Sequence, residues 1–407
     1  MSLKKAICVG VTTLFGVGAA GLAQADQAPI RIGYIADQTG PYAGNGGPGA
    51  AIAIRMAIED FGGKLLGKPI DLRVADDQNK PDVGTGIVRE WIEHDHVNAV
   101  LSGSGSAIAL ATSSLTKKYQ TPLLLIGPRT PDLTNKACSP MNVQFTFDTY
   151  TMAKAGVKNL TSQGLKTFFF ITVDYKFGSD MQADAEKYVT QFGGKVLGSV
   201  KHPLGTTDFS SYLMQAQASG AQAIVLLSAG SDLDNELKQA AEYRITKNGQ
   251  KIAIFGMTEH DLMAMGLEET KDLTFPVPAY WDENAQTRAF SKRFQARNNG
   301  VIPTYMQIEA YSAMSHYLKA VTAAGTLDGP AVIGKMKAIP VNDFSIKNAS
   351  VRADGQVAFP MYTVVVKSPA ESKSKYDYYK IGGPLNAEDI YRPLTESNCY
   401  LAENKSI

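Results

Sequence analysis

Reactive chemistry has little to work with in this chain of 407 residues. Its five histidines, His94, His96, His202, His260 and His316, are scattered without the spacing of metal ligands. No Gly-x-Ser-x-Gly elbow marks a nucleophile, and no hydroxyl or thiol has a base placed to activate it. These absences weigh against an enzyme and against a metal or other cofactor. Asp76 and Asp77 are neighbouring carboxylates, but Gln78-Asn79-Lys80-Pro81 follows them, a pattern that suits a helix-capping loop. An excess of one charge is missing too. Without Lys4 and Lys5, 38 basic residues (40 − 2) stand against 39 acidic ones, spread along the length. Nucleic acid and a polybasic membrane patch are therefore not expected partners. There is no low-complexity stretch, no long disordered linker and no apolar run of membrane-spanning length after residue 25.

The first 25 residues look like an address. Lys4 and Lys5 precede an apolar stretch from Ala6 to Leu22, and Ala23-Gln24-Ala25 offers a small-x-small cleavage site. The run is rich in Gly and Ala, too weakly apolar for an anchor. Cleavage would send the protein to the periplasm and leave 382 residues (407 − 25), enough for two domains. Of three cysteines, Cys8 falls in the removed segment. Cys138 and Cys399 remain, and in an oxidising compartment such a pair bridges more often than not. No further helix or kinase segment follows Ile407, so a sensory domain of a regulator is a lesser alternative.

What is present is alternation. From Ile30 to Gly127 short apolar strands (30–37, 70–75, 99–101, 122–127) interleave with helices at 50–61, 81–94 and 107–119. Ile54, Ala57, Ile58 and Phe61 recur at i, i+3, i+4 and i+7, one apolar stripe. This β-α-β order requires a parallel sheet with helices on both faces. A second round begins near Thr167, with strands at 167–173, 195–200, 222–228 and 251–255 and helices at 179–192, 208–219 and 232–245. Phe61-Gly62-Gly63-Lys64-Leu65-Leu66-Gly67 and Phe192-Gly193-Gly194-Lys195-Val196-Leu197-Gly198 differ at one position and close equivalent helices, which favours a duplicated lobe. After Val277 two helices follow in a row (285–299, 304–324), then 330–338 and short extended pieces near 351, 362–366 and 376–380.

In open parallel sheets a ligand sits beyond the carboxyl ends of the strands. The loops there are 39–47, 102–106, 127–134 and 174–178. Ser102-Gly103-Ser104-Gly105-Ser106 joins a strand to a helix whose first N–H groups point back into the loop, which suits an anion. It lacks the Gly-Lys-Ser/Thr ending of a nucleotide loop, and Ile108 replaces the third glycine of a dinucleotide fingerprint. A carboxylate fits better. A tight turn with a serine cap would read the same way. Gly127-Pro128-Arg129-Thr130-Pro131 ends another strand, and Arg129 offers a planar fork for a carboxylate or for a surface acid.

Thr39-Gly40-Pro41, Phe61-Gly62-Gly63, Asp76-Asp77, the serine-rich loop at 102–106, Pro131-Asp132-Leu133-Thr134, Asp174-Tyr175 with Phe177-Gly178, and Asp208-Phe209-Ser210 together resemble the periplasmic solute-binding proteins of ABC transporters, branched-chain amino acid class. The resemblance spans the mature chain and implies the two-lobed type I fold, an α/β architecture in which each lobe is a parallel sheet flanked by helices and three crossovers form the hinge. On that pattern the first lobe takes residues 26–146 plus about 283–345, and the second takes 147–282 plus about 346–407 with the tail. It also implies a monomer that presents its closed form to permease subunits.

Carried over position by position, Ser106 and Thr130 fall where the family places hydroxyls for a ligand carboxylate, with Ser104, Gly105 and Gly127 beside them. Asn45 falls in a first-lobe loop that touches the ligand, and Tyr175 or Phe177 where an aromatic covers it. Gly230 and Met257-Thr258-Glu259 take the positions from which amino-acid binders reach an ammonium. Here the chain departs from the pattern. Gly230 stands where a tyrosine is usual, and the acid is present only if Glu259 faces the cleft. An unpaired ammonium in a closed cleft is costly, so a carboxylate without an amine is favoured. Glu59-Asp60-Phe61-Gly62-Gly63, His202-Pro203-Leu204, Gln215-Ala216-Gln217-Ala218 and Asp377-Tyr378-Tyr379-Lys380 resemble a subgroup that includes aromatic-acid binders. Tyr42, Tyr175, Phe177, Tyr280 and Trp281 could line a flat slot, though core packing explains Tyr280 and Trp281 equally well. The expectation is a non-enzymatic receptor for a small carboxylate, an aromatic acid. A branched-chain amino acid or amide receptor is the alternative.

Overall fold

A computed structural model describes Ser2 and residues 28–402; apart from Ser2, the segment expected to be a signal peptide lies outside the described residues. The first lobe is built from β1 (Ile30–Ala36), α1 (Gly47–Asp60), β2 (Lys64–Leu65), β3 (Lys68–Asp76), α2 (Pro81–Glu93), β4 (Ala99–Ser102), α3 (Ser106–Tyr119), β5 (Leu123–Leu125) and β6 (Asn142–Gln144). Its sheet runs β2-β3-β1-β4-β5-β6, parallel except for the β2–β3 hairpin. The central strands are fully buried, which is why Ala99-Val100-Leu101 and Leu123-Leu124-Leu125 read as unbroken apolar runs.

The second lobe contains α4 (Thr149–Ser162), β7 (Thr167–Val173), α5 (Lys176–Gln191), β8 (Lys195–His202), α6 (Ser210–Ala218), β9 (Ala223–Leu227), α7 (Ser231–Glu242), β10 (Lys251–Ile254), α8 (Glu259–Met265), α9 (Leu267–Thr270) and β11 (Thr274–Val277). Strands β10-β9-β7-β8 make a parallel sheet. The chain then returns as α10 (Ala285–Gln295), α11 (Tyr305–Ala324), α12 (Gly329–Ala338), β12 (Ser350–Val351) and β13 (Val357–Ala358), with α11 packed on α1. It ends with β14 (Met361–Val366), β15 (Tyr379–Leu385) and α13 (Ala387–Ile390), and β14 joins β11 and β15 in an antiparallel sheet. The fold is the two-lobed α/β type I architecture that the family resemblance implied, built from the parallel sheets that the alternation of strand and helix required.

Both glycine-rich repeats do end a helix. Gly62 and Gly193 take positive φ of 93° and 74°, and the N–H groups of Gly63 and Gly194 close back onto Ile58 and Val189. The copies then part: Leu66 and Gly67 turn β2 into β3, while Lys195 runs straight into β8.

The expected lobe boundary near 346 needs correction. β12 packs beside α12 and pairs with β13, and Gln356 bridges to Gln144 on the edge strand β6, so the chain stays with the first lobe through about Ala358. Chain passages at 145–148, 278–284 and 359–360 connect the lobes. The tail also returns: Cys399 is bonded to Cys138 of the first lobe, as the cysteine count suggested. Tyr280 and Trp281 both donate to the Tyr376 carbonyl and belong to the second-lobe core, not to a ligand slot.

Gly33 lies in the middle of β1, where a Cβ would stand 2.4 Å from the Trp91 ring. Gly33→Ala is expected to cost about 1–3 kcal/mol by overpacking, read as a lower midpoint of urea unfolding. An unchanged midpoint would show that Trp91 yields freely.

Candidate functional site

The carboxyl ends of β1, β4 and β5 face those of β7, β9 and β10 across a cleft. At the end of β1 the buried Asp37 carboxylate accepts from the N–H groups of Thr39, Gly40 and Tyr42 at 3.3, 2.6 and 3.0 Å. Those bonds shape the loop that carries Tyr42 and Asn45. After β4 and β5 the loops press together, and a Cβ on Gly127 would lie 2.2 Å from the Gly103 carbonyl oxygen. α3 then begins at Ser106 with no side-chain cap. Its first-turn N–H groups carry the positive end of the helix dipole at the cleft.

The cleft encloses a cavity of about 80 Å³. At roughly 10–15 Å³ per water by this measure, it holds one compact organic molecule. Ten of the thirteen residues expected at the site line it: Tyr42, Asn45, Ser104, Gly105, Ser106, Gly127, Arg129, Tyr175, Phe177 and Thr258. Tyr42, Met152, Tyr175, Phe177, Met257 and Met306 supply apolar wall from both lobes.

Three expected residues stand elsewhere. Thr130 is fully buried, and its hydroxyl accepts from Asp132 N–H at 3.3 Å, capping the turn at Pro131–Thr134. Gly230 caps α7 with φ of 60°, and a Cβ there would lie 2.5 Å from the Pro41 carbonyl oxygen and 3.0 Å from the Tyr42 ring. Tyr42 thus fills, from the opposite lobe, the space a tyrosine at 230 would claim. Glu259 is turned away from the cavity and accepts from Tyr305 N–H at 3.0 Å, joining α8 to the N-terminus of α11. Burial pushes its carboxyl up to about 8.

The second lobe's acid at the cavity is Asp261. Its Oδ2 accepts from Thr258 N–H at 2.6 Å and from the Thr258 hydroxyl at 2.9 Å, while the buried Oδ1 has no protein partner. Burial raises its pKa. Thr258-x-x-Asp261 has capping-box spacing, so the sequence did carry a signal that this carboxyl turns toward Thr258. Asp37, Met152, Ser228, Tyr305 and Met306 also line the cavity unanticipated. Tyr305 and Met306 arrive through a helix that begins some 260 positions after the first loop, a juxtaposition no local pattern announces.

Arg129 lines the cavity, but its guanidinium is braced by protein. Nη1 donates to the Phe147 carbonyl at 2.8 Å and Nη2 to the Tyr305 hydroxyl at 3.2 Å, with the Phe147 ring 4.1 Å beneath. Two of its five N–H groups are thereby used.

The lobes are shut. Tyr42 and Tyr175 meet hydroxyl to hydroxyl at 2.8 Å, and the Thr258 hydroxyl lies 3.0 Å from the Asn45 side-chain amide. Lys176 of α5 pairs with Asp132 at 2.8 Å on the rim. A Cβ on Gly44 would strike the His260 ring, 2.1 Å from Nε2.

Residues 29–374 match the family model described as periplasmic binding protein. A crystal structure of a periplasmic binding protein from Burkholderia mallei superposes with a TM-score of 0.89 at 38% identity, covering 92% of this chain and 99% of that one. A branched-chain amino acid ABC transporter periplasmic ligand-binding protein from Burkholderia xenovorans gives 0.82 at 35% identity, covering 92% and 100%. A solute-binding protein of an ABC transporter from Rhodopseudomonas palustris, solved with 3,4-dihydroxybenzoic acid, shares the fold at 0.79 and 22% identity, covering 88% and 98%.

The raised Glu259 pKa fixes a pH dependence. A carboxyl near 8 when folded, against 4.5 normally, gives its full relative stability below about pH 4.5, and that stability is lost as the pH rises to 8. Glu259→Gln should therefore gain on wild type between pH 5 and 8, by on the order of a few kcal/mol, in melts run across that range. A constant offset would mean that the carboxyl titrates normally.

Proposed function

The chain belongs to the periplasmic binding protein family, and on that footing we propose that it is the exported, monomeric receptor of an ABC importer that closes on a small carboxylate, an aromatic acid. One observation carries this reading: the uncapped N-terminus of α3, with Ser104, Gly105 and Ser106, faces a cavity whose other walls are largely aromatic and methionine side chains. An anionic group at the helix end accepts N–H and hydroxyl donation in a water-poor site, where such bonds are strong. A flat ring would lie between first-lobe Tyr42 and second-lobe Phe177. Arg129 adds positive charge behind the carboxylate without having to move. The Rhodopseudomonas palustris protein with bound 3,4-dihydroxybenzoic acid supports the aromatic class by analogy of fold.

The receptor works by population shift. Tyr42–Tyr175, Asn45–Thr258, Asp132–Lys176 and Tyr305–Glu259 all join first lobe to second, so each is broken on opening. A ligand touching both lobes favours the shut form by its differential affinity. The shut outer surface is then what a permease meets. No bond of the ligand changes in this cycle.

A second reading rests on Asp261. Its unpartnered buried Oδ1 would be satisfied by a ligand ammonium or hydroxyl, which keeps branched-chain amino acids in contention and, among aromatic acids, favours hydroxylated ones.

Calorimetric titration with benzoate, 4-hydroxybenzoate, 3,4-dihydroxybenzoate and leucine separates the readings. Tight binding of an aromatic acid that weakens about tenfold, or 1.4 kcal/mol, in Ser106→Ala is the expected result. Tight leucine binding with no response to the aromatic acids would replace the reading, and full affinity in Ser106→Ala would remove that residue from the site.

A further inference from the structure

Beyond β15 the chain recrosses the hinge. Tyr391 packs edge-on against Phe359 in the third passage, ring centres 6.2 Å apart. The Arg392 guanidinium lies 4.2 Å over the Tyr150 ring, at the start of α4. Glu396 accepts from the Tyr150 hydroxyl at 3.2 Å and sits 3.7 Å from Lys187 of α5. All of those contacts from Arg392 and Glu396 are to the second lobe. Over the next three residues the partners belong to the first lobe: the Ser397 hydroxyl donates to the Thr134 carbonyl, Asn398 N–H donates to Asn135 Oδ1, and Cys399 is bonded to Cys138.

We propose that residues 386–399 are a fourth tie between the lobes, locked by the disulfide, which limits how far the cleft opens and twists. The bond spans 261 residues and closes a covalent ring that contains the whole second sheet. From Glu396 to Cys399 the backbone reaches at most roughly 10 Å. Wide opening must therefore pull Glu396 and Arg392 off Tyr150, because the far end cannot leave the first lobe. Both cysteines are buried, so the anchor is part of the packed interior. A narrower open ensemble loses less freedom on closing, which strengthens binding and slows release. That consequence rests on the receptor reading, whereas the mechanical claim does not.

The test needs no ligand. Small-angle scattering of the ligand-free protein is compared with Cys138→Ala/Cys399→Ala, with circular dichroism confirming that the variant is folded. A larger radius of gyration in the variant is the expected result; an unchanged one overturns the strap. If the alanine pair does not fold, a Gly-Ser-Gly insertion between Glu396 and Ser397 keeps the bond but slackens the tie, and the same enlargement is required of it. Repeating the titration with 4-hydroxybenzoate addresses the receptor reading separately. An enlarged variant, with or without binding, upholds the strap, and binding with no enlargement refutes the strap alone.

Discussion

A buried guanidinium holds together the parts from which the cleft is assembled. Arg129 follows β5, donates to the carbonyl of Phe147 in the first passage between lobes, and donates to Tyr305 at the head of α11. Its own carbonyl accepts from Thr149 N–H at the start of α4. One residue thus connects a first-lobe strand end, a hinge strand and the first residue of the second lobe. The planar fork suits this geometry, since two carbonyl or hydroxyl oxygens in different directions can be served without strain, which a lysine could not do. Loss of the charge would also leave Glu309, whose carboxyl burial already raises to about 8, without the cation that tempers it.

Around that centre the interior is rich in carboxyls. Glu259, Asp261 and Glu309 are buried within the same region, and burial raises the pKa of each. A second cluster lies behind the cavity wall. There His202 faces Glu236 at 3.2 Å and Ser228 at 2.9 Å, and Ser228 lines the cavity. Burial would lower the His202 pKa, but its bond to Glu236 prevails and raises it. Keeping water out disfavours the charged form of each carboxyl, so any of them that gains water on opening would hold its proton less tightly. The cavity lining is electrically mixed, with helix-end N–H groups and Arg129 alongside the carboxyls of Asp37 and Asp261.

The alternation of apolar runs was enough to place β7 at its true ends and most other strands and helices within a few residues. Those elements are long and locally periodic, and a parallel sheet buried on both faces leaves its mark in every strand. The 14-residue α4 was missed, and so were short pieces. β6, at three residues, and α8, at seven, are stabilised by the neighbours they pack against and not by their own pattern. At the site, the loops after β1, β4, β5 and β7 were legible because glycine and serine cluster where a backbone must approach closely. Thr130, Gly230 and Glu259 were misplaced because a residue's position in a loop does not say which way its side chain turns. A half-turn of α8 directs Glu259 to Tyr305 N–H and Asp261 to the cavity.

By itself the sequence determined that this is an α/β chain with two rounds of strand and helix, a glycine- and serine-rich loop leading into a helix, and two cysteines available to pair after residue 25, because periodicity, glycine placement and cysteine count are properties of the chain taken locally. Tertiary structure alone decided that Arg129 braces the hinge, that Asp261 and not Glu259 meets the cavity, that Tyr42 takes the space left open by Gly230, and that the tail recrosses to the first lobe. Each of these depends on groups brought together from well beyond the reach of a local pattern, from 18 positions apart for Arg129 and Phe147 to 261 for the two cysteines, or on the rotation of one helix, and neither is written in local order.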